Sequence, residues 1–134
     1  IYTDASFNNK FILPAISGYY GPNHPLNFAH TIYCEIGSAG AEVIAARLAL
    51  SRLLDYKHYN NEHVVLKSDY NTMVNAMNNG FKDKQCNGEF LKLRKIAEKF
   101  PTQVLFQYVP RNSDQGIRKA DAMAKRALKD YYGE

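Results

Sequence analysis

The stretch His63–Ser68 constrains the fold more than any other part of this chain. Val64, Val65 and Leu66 form a short unbroken apolar run between two helix-like segments. A run this short suits a strand buried on both faces, the usual state of parallel strands covered by helices. Parallel neighbours require helical crossovers, and the flanking sequence supplies them. Before the run, Ala41–Leu54 is Ala-rich, with Val43, Ile44, Leu48 and Leu50 as its apolar positions. After it the pattern predicts a short helix over Asn71–Asn78 and a longer one over Gly88–Phe100, stopped by Pro101. A strand over Gln103–Val109 and a last helix over Ile117–Tyr132 follow.

The first third reads differently. Ile1–Phe7, Pro14–Tyr20 and Asn27–Ile36 are β-rich and separated by turn residues, Asn8-Asn9-Lys10 and the loop Gly21–Pro25. Alternation in the third segment puts Phe28, His30, Ile32, Cys34 and Ile36 on one face. These three segments predict an antiparallel meander, and Gly37-Ser38-Ala39-Gly40 reads as a break before the first helix. The expected fold class is α/β: a five-stranded mixed sheet, three strands antiparallel and two parallel, flanked by helices in one domain over 1–134. A hydrophobic fraction of 46% is enough for a core at this length. No apolar stretch reaches the roughly 18 residues of a membrane span. Cys34 and Cys86 are too few for a disulfide scaffold, and Ile1 starts directly in a strand rather than in a signal-peptide pattern. The expected location is intracellular, in the cytoplasm.

Four carboxylates stand in unusual settings. Asp4 lies mid-strand in IYTDAS, and Glu42 lies in the first turn of the predicted helix in AGAEVIAARLAL. Asp69 ends the apolar strand in VVLKSDYN, and Asp121 lies near the start of the last helix in RKADAMAKRAL. A carboxylate leaving water is costly unless it is paired or holds a metal. Several brought together repel, so a cation is their natural companion. Each also has a local alternative. Asp4 can face solvent, Asp69 can cap the next helix, and Glu42 and Asp121 can complement helix dipoles.

In order and setting these motifs resemble the type 1 ribonuclease H family. The resemblance rests on Asp4-Ala5-Ser6 on a strand, the helical Ala41–Leu50 segment around Glu42, Ser68-Asp69 at a strand end, and Ala120–Ala127 around Asp121. It implies a ribonuclease H-like fold and an endonuclease that hydrolyses the RNA strand of RNA–DNA hybrids, leaving 5′-phosphate and 3′-hydroxyl ends. It further implies that Asp4, Glu42, Asp69 and Asp121 hold two divalent ions, Mg2+ or Mn2+, about 3.5–4 Å apart. The partner would be the hybrid, and the chain would act as a monomeric domain, either a stand-alone enzyme or part of a reverse transcriptase polyprotein. The alternatives are a catalytically silent nucleic-acid-binding module on the same fold and another nuclease of the superfold.

One loop resembles only a subset of the family, and two places depart from its pattern. The loop Val109–Gly116 carries no His, and Arg111 is the candidate for handling phosphate there. Ser38 is the only polar side chain in the Ser38–Ala41 segment, where relatives contact the hybrid. Ile117 stands where a polar residue is common. Ser6 and Ser38 remain candidate nucleic-acid contacts. Lys82, Lys84, Lys92, Arg94, Lys95 and Lys99 form a basic stretch, in which Lys92 and Lys95 either meet phosphates or belong to a solvated helix face. The net charge of +4 fits a polyanionic partner if four acids are confined to one site.

Overall fold

The structure is a computed structural model that describes residues 1–8, 13–33, 37–80 and 87–133, without the side chains of Ser38 and Asn87. Its elements, in chain order, are β1 (Tyr2–Ser6), β2 (Ala15–Tyr19), β3 (Phe28–Thr31), α1 (Gly37–Leu54), β4 (Val65–Ser68), α2 (Asn71–Asn79), α3 (Asn87–Ala97), β5 (Leu105–Tyr108) and α4 (Gln115–Tyr132). The five strands form one sheet in the order β3-β2-β1-β4-β5. β1 pairs antiparallel with β2, and β2 with β3. β1 pairs parallel with β4, and β4 with β5. The expected mixed sheet is therefore present, with β1 at the seam between its antiparallel and parallel halves.

Two adjacent residues of β2 show how the layers are arranged. Ile16 is fully buried in a cluster with Phe28 and with Ala41, Ala45 and Ala49 of α1. Ser17 faces the other way and donates its hydroxyl to the Ala120 carbonyl of α4 at 2.6 Å. Side chains alternate along a strand, so α1 and α4 cover opposite faces of the meander. The alanines of α1 let its axis approach the sheet closely. A second cluster, built from Val43, Leu50, Leu66, Met73, Phe90, Leu93 and Phe106 among others, joins α1, α2 and α3 to the parallel strands. On the opposite face, Gly116 opens α4 directly over the Tyr2 ring, where a β-carbon would collide with the aromatic carbons. Among the described residues no helix is long and apolar enough to cross a membrane.

Several boundaries differ from expectation. α1 begins at Gly37, so the Gly-rich segment read as a break is its first turn. Gly37 enters with φ +77°, which glycine adopts without a steric penalty. Ala39 packs on the larger core cluster and Ala41 is fully buried, and this tertiary burial outweighs the low helix propensity of two glycines. Glu42 consequently sits in the second turn, outside the reach of the dipole argument. α4 likewise starts earlier than expected, capped by Asp114, whose carboxylate accepts from the Ile117 amide at 2.9 Å. That leaves Asp121 in the second turn as well. The β3 ladder ends at Thr31, and the Ile32 amide bonds instead to the Pro14 carbonyl at 2.9 Å. Cys34, Ile36, Lys82, Lys84 and Cys86, and the Asn9-Lys10 part of the first turn, lie outside the described residues.

Candidate metal centre

Strand register brings the first two acids together. Tyr2 is aligned with Lys67 in the parallel β1–β4 ladder. Two residues further along each chain, the same alignment sets Asp4 beside Asp69. Adjacent strands are about 4.8 Å apart, which is within reach for two short carboxylates. β4 ends at Ser68 while β1 continues to Ser6, so the pair lies where the parallel ladder stops. Asp69 does not cap α2. The N-cap position is Tyr70 and makes no side-chain cap, while Ser68 Oγ accepts from the Tyr70 amide at 3.0 Å. The capping alternative for Asp69 therefore falls.

Glu42 reaches the same place from α1. One carboxylate oxygen each from Asp4, Glu42 and Asp69 lies within 4.8 Å of the others. Asp4 is only 3% exposed, so it does not face solvent, and the Ala5 amide donates to its Oδ1 at 2.9 Å. Asp121 arrives from α4 on the opposite face. It lines the same cavity of about 380 Å3 as the other three acids. Ser6, Phe7, Arg111 and Lys125 complete the lining that matters here, and no histidine is part of it. Lys125 Nζ lies 3.0 Å from Asp121 Oδ2.

The electrostatics follow from this crowding. Burial, then the Asp69 charge, then Asp121 push the Asp4 carboxyl up from 3.8 to about 7, against the opposing pull of the Ala5 amide. Burial first, then the Asp4 and Asp69 charges, hold Glu42 well above the usual carboxylate range. Such a group of hard oxygen donors, carrying more negative charge than it can keep, fits a divalent cation of the Mg2+ or Mn2+ type.

The remaining sequence candidates divide. Ser6 and Arg111 join the acidic cavity. Lys92 and Lys95 do not. They rim a separate cavity of about 420 Å3 with Arg47 and Lys99, over a floor that includes Ile32, Ile44, Leu48 and Ile96. Ile44, Arg47, Leu48 and Ser51 project roughly half a turn round α1 from Glu42, on the far side of that helix. Ile117 is buried and does not line the acidic cavity. Lys125 and Phe7 were not anticipated. The Asp121–Lys125 spacing of four, acid first, is the sequence signal that would have exposed the lysine. Phe7 gives no comparable signal.

No protein-family model matches the sequence, and no curated protein matches it. Solved structures do. RNase H1 from the halophilic archaeon Halobacterium salinarum NRC-1 superposes with a TM-score of 0.77 at 19% identity, over 96% of each chain. LC11-RNase H1, isolated from compost by a metagenomic approach and solved in complex with an RNA/DNA hybrid, gives 0.78 at 18% identity, over 98% of this chain and 96% of that one. The foamy viral protease–reverse transcriptase, also with an RNA/DNA hybrid, gives 0.68 at 13% identity, over 94% of this chain and 19% of the viral one. Near-complete superposition on these structures, with a five-stranded mixed sheet flanked by helices, assigns this chain the ribonuclease H1-like fold.

Proposed function

We propose that this domain is a metal-dependent endonuclease that hydrolyses the RNA strand of an RNA–DNA hybrid. The observation that carries the reading is the trio of carboxylate oxygens from Asp4, Glu42 and Asp69, mutually within 4.8 Å at the end of the parallel ladder. A module that only binds nucleic acid gains nothing from a buried cluster that repels its ligand's phosphates and costs folding energy. Asp4, Glu42, Asp69 and Asp121 would hold two Mg2+ or Mn2+ ions. Bound there, the ions would activate a water as nucleophile and stabilise charge on the attacked phosphate and the departing 3′ oxygen, leaving 5′-phosphate and 3′-hydroxyl ends.

The chain's own residues account for the rest of the geometry. The Ala5 amide fixes the Asp4 carboxylate rotamer, and the Ser17–Ala120 hydrogen bond fixes where α4 delivers Asp121. Arg111, exposed on the cavity rim, is placed to take a phosphate oxygen of the incoming strand. Ser6 offers a hydroxyl beside Asp4, and Phe7, about half exposed, offers a flat apolar face at the same mouth. Ser38 stays a candidate hybrid contact from the first turn of α1. The same reading takes the domain to act as a monomer, alone or within a larger polyprotein.

The test is cleavage of end-labelled RNA–DNA hybrid, double-stranded RNA and double-stranded DNA, each with Mg2+, Mn2+ or EDTA. Cleavage of the RNA strand of the hybrid with either metal, absent in EDTA and in Asp4→Asn and Asp69→Asn, is the expected outcome. Full activity in EDTA or in either variant would refute the assignment.

A further inference from the structure

The ion pair between Asp121 and Lys125 has a consequence that the four-acid reading does not contain. Three of the acids present mutually close oxygens, and Asp121 is the one outside that trio. Its Oδ2 is instead engaged by Lys125 Nζ at 3.0 Å, within the same cavity. Asp121 is largely buried and Lys125 about half exposed, so the ammonium reaches in from solvent over the acid. The two are one helical turn apart on α4, so the backbone holds them in register whether or not the rest of the site changes.

We propose that Lys125 is a built-in counter-cation of the site: it occupies Asp121 Oδ2 while the site is metal-free, and a divalent ion that takes this oxygen must displace it. The inference rests on the metal-dependent reading above. The charges set its direction. With four carboxylates converging, the ammonium relieves repulsion in the metal-free protein. An arriving divalent ion meets both a competitor for Asp121 and a like charge beside it. The trio of Asp4, Glu42 and Asp69 has no such competitor among the described residues. The site is thus divided into an open part and a guarded part, and ions should fill it in that order. The displaced side chain, flexible and half exposed, is then free to swing back to solvent or to a phosphate at the cavity mouth. Lys125 is a positioning residue in this scheme, since it acts through Asp121.

Titration calorimetry with Mg2+ and then Mn2+, in the absence of nucleic acid, tests this on the wild type, Lys125→Met and Lys125→Arg. Melting curves in EDTA serve as a second readout. Lys125→Met should tighten the weakest binding event by about three- to tenfold, the range expected when an ion-pair competitor is removed. It should also melt lower than wild type in EDTA, because the repelling acids lose their counter-charge. Lys125→Arg keeps the charge and should behave like wild type in both measurements. Unchanged or weakened metal affinity in Lys125→Met, with wild type binding normally, overturns the counter-cation role and leaves the metal-dependent reading standing. Wild type binding neither metal overturns that reading, and the counter-cation role with it.

Discussion

Replacing Asp4 with Asn should stabilise the metal-free protein, by an amount that depends on pH. Asp4 is buried and its carboxyl titrates near 7 rather than 3.8. Between those two values the folded protein holds this proton and the unfolded chain does not, so stability falls as pH rises through that window. Once pH exceeds 7 the full penalty is in place, about 4 kcal/mol at most for a displacement of this size. Asn keeps the oxygen that accepts from the Ala5 amide but carries no charge. In EDTA at pH 8, Asp4→Asn should therefore melt about 10 °C above wild type. The gap should shrink steadily below pH 7 and vanish near pH 4, where wild-type Asp4 is neutral in both states. Saturating Mg2+ at pH 8 should narrow or invert the gap, because ions bind the wild-type cluster and stabilise it by mass action. Melts followed by circular dichroism across pH 4–8, with EDTA and with Mg2+, provide the measurement. A variant no more stable than wild type at pH 8, or a gap that ignores pH, would refute the crowded-carboxylate account.

Other perturbations follow from single contacts. Ser17→Ala removes a buried hydroxyl from the Ala120 carbonyl and should cost about 1–2 kcal/mol in chemical denaturation. It should also weaken Mg2+ binding in calorimetry, although Ser17 touches no ligand, because Asp121 follows directly on Ala120. Gly116→Ala drives a methyl into the Tyr2 ring and should cost about 1–3 kcal/mol, read as a lower denaturation midpoint. Arg111→Ala should reduce the salt dependence of hybrid binding by about one unit on a log–log plot, as expected for one lost phosphate contact, with little change in folding stability.

Much of this architecture was legible because it depends on periodicity. The apolar run at Val64–Leu66, the alternating meander and the Ala-rich pattern of α1 each state their element locally, and the nine elements of the described residues occur in the order they predict. The ends of the helices were less legible. Gly37 and Gly40 argue locally against helix, and only the burial of Ala39 and Ala41 against the sheet decides otherwise. The same error had placed Glu42 at a helix start, where a dipole would have explained it. The acids could be picked out because charged residues interrupt apolar patterns. Their convergence could not be read from any one of them, since it depends on the β1–β4 register and on α1 and α4 meeting from opposite faces. Lys92 and Lys95 rim another cavity behind α1, so the acidic site is built without the basic stretch of α3. Lys125 was readable from its i,i+4 spacing to Asp121, but that spacing alone does not say that Asp121 is one of the converging acids.

The wide spacing of the acids along the chain also fixes when the site can exist. Asp4 emerges among the first residues of this domain during synthesis and Asp121 near its last. α4 must then lie down across β1, β2 and β3 before the Ser17–Ala120 bond can close. A nascent chain that has displayed β1, α1 and β4 already carries three acids yet lacks the fourth and its lysine. The domain is thus born without a complete acidic pocket and acquires one only as its final helix leaves the ribosome. A chain cut short before Asp121 would keep all five strands of the sheet and never gain the pocket.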